Sequence, residues 1–124
     1  MKGFKVLAIA LLLLTVASAA MAADAINSDV GKSWTITLNH PTRVGTALLP
    51  TGDYKVQHLK DGGQHFLAFK SGRKEITRVG CTMEELPKKA IGTLLFENTN
   101  GAGEQVLEGI AFDGDSFQHD LVNP

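Results

Sequence analysis

From Lys32 to Val122 apolar and polar positions alternate repeatedly with period two, and the three-four spacing of a helix never persists beyond about two turns. The pattern predicts an all-β chain. Trp34, Ile36 and Leu38 fall on one face of a first strand near residues 33 to 39, with Thr35 and Thr37 opposite, and His40-Pro41 ends it because proline lacks the ladder N–H. Gly45 to Leu49 reads as a short extended piece, followed by a Leu49-Pro50-Thr51-Gly52 turn. Tyr54, Val56 and His58 then alternate with Lys55, Gln57 and Leu59 up to Asp61-Gly62-Gly63, the clearest hairpin signal in the chain, and Gln64 to Lys70 runs back.

Further along, Ser71-Gly72 turns the chain into a long strand from about Lys74 to Met83, with Val79, Cys81 and Met83 on one face. Glu84 to Lys89 breaks the pattern with charge and proline and reads as a solvated loop. Ile91 to Asn98, Gln105 to Phe112 and Ser116 to Val122 complete the set. Short connections imply antiparallel neighbours. The expected architecture is a single antiparallel domain of seven to eight strands, forming a small β-barrel or a β-sandwich.

The segment before these strands changes what the mature molecule is. Lys2 and Lys5 precede an apolar run from Val6 to Val16, and Ala20-Met21-Ala22 supplies small residues, which is the pattern of a secretory signal peptide. A cut after Ala22 or Ala23 leaves residues 24–124 as one domain, too short for two. The formal charge of −1 becomes more negative once Lys2 and Lys5 are lost, a sign opposite to that of a nucleic-acid binder. No second apolar run is long enough to span a bilayer, so no membrane insertion is expected after cleavage. Export to the periplasm or the medium is the predicted destination.

Export would place the chain where disulfides persist, yet Cys81 is its single cysteine, so no intramolecular bridge can form. The segment Gly45-Thr46, Leu49-Pro50, Gly52, Tyr54 and Val56 resembles a pattern near the start of small secreted bacterial β-proteins that have no assigned function. The resemblance implies an exported β-domain without established catalysis, and it transfers no functional residues.

Candidate chemistry is sparse. No nucleophile motif or cofactor loop is present, so the expectation is a noncatalytic domain without a cofactor. His58 and His65 flank the Asp61-Gly62-Gly63 turn. With an Asp61-Gly62 loop His58 falls opposite His65, and the two imidazoles could share Zn²⁺ or Cu²⁺; with a three-residue loop His58 faces Phe66 and the pair is lost. Solvated strand histidines are the commoner outcome of such a pair, and His119 is the distant candidate for a third ligand.

Cys81 and Met83 place two soft sulfurs on one strand face, a set suited to Cu(I) or, for Cys81, to a redox role, although such residues usually serve as core. Asp113-Gly114-Asp115 reads as an ordinary turn, since the twelve-residue calcium-loop pattern is missing. Two functional readings follow. One is an envelope or extracellular interaction or structural protein, which contacts a protein partner or itself through an exposed edge or the Phe66, Leu67, Ala68, Phe69 strip. The other is a small-molecule or metal-binding module.

Overall fold

A computed structural model describes residues 29–124, and the leader expected over residues 1–23 lies outside them. The described chain is all strand and turn. Its nine strands are β1 (Ser33–Leu38), β2 (Thr42–Val44), β3 (Ala47–Leu49), β4 (Gly52–Asp61), β5 (Gln64–Ser71), β6 (Lys74–Glu85), β7 (Leu94–Thr99), β8 (Gln105–Ala111) and β9 (Phe117–Leu121). The count exceeds the seven or eight expected because Thr42–Val44, ahead of the extended piece read from Gly45 to Leu49, is itself a strand that turns back at Gly45 onto Ala47–Leu49. Val44 pairs with Ala47 across Gly45-Thr46, and Gly45 has φ +59° while no non-glycine residue has positive φ, the II′ pattern of a two-residue loop.

All nine strands belong to one sheet, in the order β1-β4-β5-β6-β9-β8-β2-β3, with β7 also paired to β8. It is mixed rather than purely antiparallel, because β2 runs parallel to β8 through Thr42 with Gln105 and Arg43 with Val106. One edge of β8 is lined along its length by β7. Its other edge is divided, with β2 beside Gln105 and Val106 and β9 beside Gly109 and Ile110. The Arg43 guanidinium donates from Nε and Nη2 to the two Glu104 oxygens at 2.9 and 2.8 Å, fixing β2 against the start of β8. That pairing holds the Glu104 carboxyl down at about 2.

The sheet curls strongly without hydrogen-bonded closure between its ends. β6 begins beside β5 and finishes beside β9, and Cys81 is the crossing point, paired with both His65 and Leu121. In a flat sheet β4 and β9 would stand about 14 Å apart, three strand spacings. The rings of His58 on β4 and His119 on β9 instead lie 5.0 Å apart, so the inner faces of these strands meet across the interior. Trp34 on β1 likewise stacks on Phe112, just past β8, with ring centroids 4.0 Å apart and planes within 7°.

The enclosed space is filled by Ile36, Leu38, Tyr54, Val56, Leu67, Phe69, Val79, Leu107, Ile110 and Phe112, all buried. Burial of this apolar surface, at about 25 cal/mol per Å², is the main force favouring the folded chain. The Phe66 to Phe69 strip is not a free surface. Leu67, Ala68 and Phe69 are fully buried and Phe66 is half-buried, since β5 is central and both its faces are covered there.

Candidate functional site

At one end of this interior the apolar packing gives way to buried polar groups. Tyr54, Val56 and His58 share the inner face of β4, so alternation that buries the first two also buries the imidazole. The same holds on β9, where Phe117, His119 and Leu121 point inward. His58 and His119 have no exposed surface.

The β4-β5 hairpin sets the relation of His58 to His65. The loop is Gly62-Gly63, with φ +57° and +83°, the double positive φ of a type I′ turn. Asp61 therefore pairs with Gln64, Lys60 with His65 and His58 with Leu67. Both registers expected from sequence are corrected: His58 opposes neither His65 nor Phe66. The two histidines are diagonal neighbours on one face, and Nε2 of His58 lies 2.7 Å from Nδ1 of His65, a ring-to-ring hydrogen bond. Desolvation of each ring, with each facing another cationic group, lowers both imidazoles from their usual value; His58 faces His65, and His65 faces Lys60.

Beyond His58 lies His119, and beyond it two carboxyl groups. Asp115 is held by the turn before β9, where its Oδ1 accepts from the Phe117 N–H at 3.2 Å. Its backbone is anchored by the Ala90 N–H donating to its carbonyl and by its own N–H donating to Phe112. Asp29 sits in the turn before β1, placed by two backbone bonds that extend the β1-β4 ladder: Gly31 N–H to His58 O, and His58 N–H to Lys32 O. Asp29, Asp115 and His119 are all buried, and each offers a ligand atom within 4.8 Å of the others.

The polar atoms of this cluster are poorly satisfied. Nδ1 of His119 is 3.4 Å from Oδ2 of Asp115 but makes no hydrogen bond with it, and neither nitrogen of His119, nor Oδ2 of Asp115, nor Nδ1 of His58 has a partner. Unsatisfied buried polar atoms cost about 1–3 kcal/mol each. Burial and the neighbouring Asp29 carboxyl push Asp115 up to about 7, while burial and the adjacent His58 hold His119 down at about 4. Asp29 is within 3.3 Å of Lys32 Nζ, whose side chain is mostly exposed. A cleft bounded by Asp29, Lys32, Lys89 and Asp115 leads from solvent to the carboxyl groups. A wider groove bounded by Arg43, Asn98, Asn100 and Glu108 shares no lining residue with the cluster, and its guanidinium is already committed to Glu104.

Cys81 is buried, and burial with Asp120 nearby pushes its thiol up to about 12. Redox and nucleophilic chemistry require the thiolate, so these surroundings favour an inert core sulfur. Met83, two residues on, is half-buried and pairs with His119 across β6 and β9. Of the residues singled out by sequence, the fold thus brings His58 and His65 into contact and sets His119 beside them. Sequence reasoning missed Asp29, which precedes the first recognisable strand, and took Asp115 for turn chemistry alone. No residue spacing links these two positions. Comparison with protein-family models, curated proteins and solved structures yields no match for this chain.

Proposed function

We propose that this protein is an exported, noncatalytic binding domain whose ligand is a divalent transition-metal ion held by Asp29, Asp115 and His119. The observation carrying this reading is His119: a ring with no solvent exposure and no hydrogen bond at either nitrogen, set against a carboxylate oxygen that also lacks a donor. A dication at that point would ligate the free atoms and offset two buried carboxylates together. One imidazole with two carboxylates suits zinc or a similar ion, whereas calcium would want six to eight oxygens. The leader-like N-terminus supports export, and the lack of a nucleophile motif supports a binding role rather than a catalytic one.

Thermal unfolding of chelator-stripped protein tests the reading. Zinc at 100 times its Kd should stabilise the fold by about 2.7 kcal/mol, raising Tm of a domain this size by roughly 10 to 20 °C. Asp115→Asn and His119→Leu should abolish the rise, and calcium should give none. A Tm unmoved by zinc and manganese, or moved equally in both variants, overturns the proposal.

A second reading, docking of a protein partner or of another copy, draws support from β7. This strand pairs only with β8 among the described strands, and Leu94 and Phe96 on it are 52% and 40% exposed.

A further inference from the structure

We propose that the protein carries a second and softer metal site, formed by His58, His65 and Met83 at the open end of the same inner face, and that its ion is Cu(I). The inference extends the metal-binding reading to other residues, so the two can fail separately. In the sequence the histidine pair and the sulfur pair are unrelated candidates; strand register merges them. His65 pairs with Cys81 across β5 and β6, which makes Met83 its diagonal neighbour on the same face. Diagonal positions are about 7–8 Å apart at Cα, within reach of a flexible thioether. His65 and Met83 also line one cleft open to solvent beside the Gly62-Gly63 turn.

The geometry of the two rings is close to that of a chelate. Two imidazoles on one tetrahedral ion, at about 2.0–2.1 Å each, would hold their ligating nitrogens roughly 3.3 Å apart. Nε2 of His58 and Nδ1 of His65 are 2.7 Å apart, so they must open by about 0.6 Å, a shift that half-buried His65 can supply by turning into the cleft. When His58 ligates through Nε2, its remaining proton sits on Nδ1. That atom is buried, and the Asp29 backbone acts on this ring as a hydrogen-bond acceptor, the kind of partner that metal-bound histidines use to fix their tautomer.

Donor chemistry then selects the ion. Two neutral imidazoles and a thioether form a set without oxygen, which disfavours calcium and magnesium and suits Cu(I). Cys81, opposite His65, is buried in the core, which leaves half-buried Met83 as the sulfur donor beside the cleft.

The experiment is an anaerobic Cu(I) titration of the whole protein against a competing Cu(I) chelator, with native mass spectrometry for stoichiometry. One Cu(I) should bind and persist in Asp115→Asn. Met83→Leu, which conserves volume at a half-buried position, and His65→Gln should each weaken Cu(I) binding at least tenfold while leaving the zinc-dependent rise in Tm in place. Absence of Cu(I) binding, or binding indifferent to both substitutions, overturns the second site. Loss of Cu(I) in Asp115→Asn without loss in His65→Gln would assign copper to the inner triad and overturn it equally. Retention of the copper site with no zinc effect would instead sink only the inner one.

Discussion

His119 illustrates how a single residue can oppose stability and serve chemistry together. Its ring is packed against Phe112 and His58 with both nitrogens unpaired, so the folded chain carries their desolvation without return. Replacing an unsatisfied polar group by an apolar one of similar volume is commonly neutral or stabilising. In metal-free protein, His119→Leu should therefore raise the urea midpoint, by about 1 kcal/mol or more in unfolding free energy; a merely structural histidine predicts a fall. The same cluster sets an acid response. His58, His65 and His119 are lowered in the folded state, so below pH 6.5 the unfolded chain takes up protons that the native rings refuse, and stability falls toward about pH 4. Asp115, raised to about 7, acts in the opposite sense, because its native form holds a proton that the unfolded form loses above pH 3.8. Over this window His119 and Asp115 act across comparable spans and roughly offset each other, so the lowered His58 and His65 decide a net loss of stability between pH 6.5 and 4, measurable by denaturant titration of metal-free protein. Stability that rose on acidification through this window would show that the carboxyl dominates. His58, His65 and His119 were visible in sequence as ligand types on alternating strands. Asp29 was not, because its importance comes from a turn whose position is set by bonds to His58 across the sheet.

Among elements, the strands were the legible part of the sequence, since alternation records which face is buried. The joints were less so. Asp61-Gly62-Gly63 announced a hairpin, but Asp61-Gly62 and Gly62-Gly63 can both form a type I′ loop; the chain uses Gly62-Gly63, which has no Cβ at either positive-φ position, and that choice fixed the diagonal relation of His58 and His65. The β2-β8 pairing is parallel and only two residue pairs long, and nothing local marks it. The Phe66 to Phe69 run allowed either coverage of both faces or an apolar strip for a partner, and the central place of β5 in the sheet decides for coverage. Exposed apolar surface lies instead on β7, where Leu95 turns inward toward Ile110 while Leu94 and Phe96 face out. If this edge pairs with another copy, Phe96→Lys should shift a dimer to monomer in light scattering at high protein concentration, with unchanged circular dichroism. A wild-type protein monomeric throughout that range would remove the self-pairing reading.

At the scale of the whole molecule, curvature decides what the interior can hold. A flat sheet of this order would leave β4 and β9 far apart, and His58 and His119 would never meet. The staggered pairing of β6, first with β5 and then with β9, brings them together, and neither composition nor periodicity encodes that stagger. The stacked Trp34 and Phe112 join β1 to the chain just past β8 across the same interior. Trp34 is the chain's only tryptophan, and its ring lies 6.0 Å from that of His119. The protein thereby holds an optical gauge of its own interior: ultraviolet emission from one indole, free of any other source of its kind, should dim when Cu²⁺ reaches the inner site and recover on chelation. Emission indifferent to that ion, at concentrations where it is bound, would place the ion away from His119.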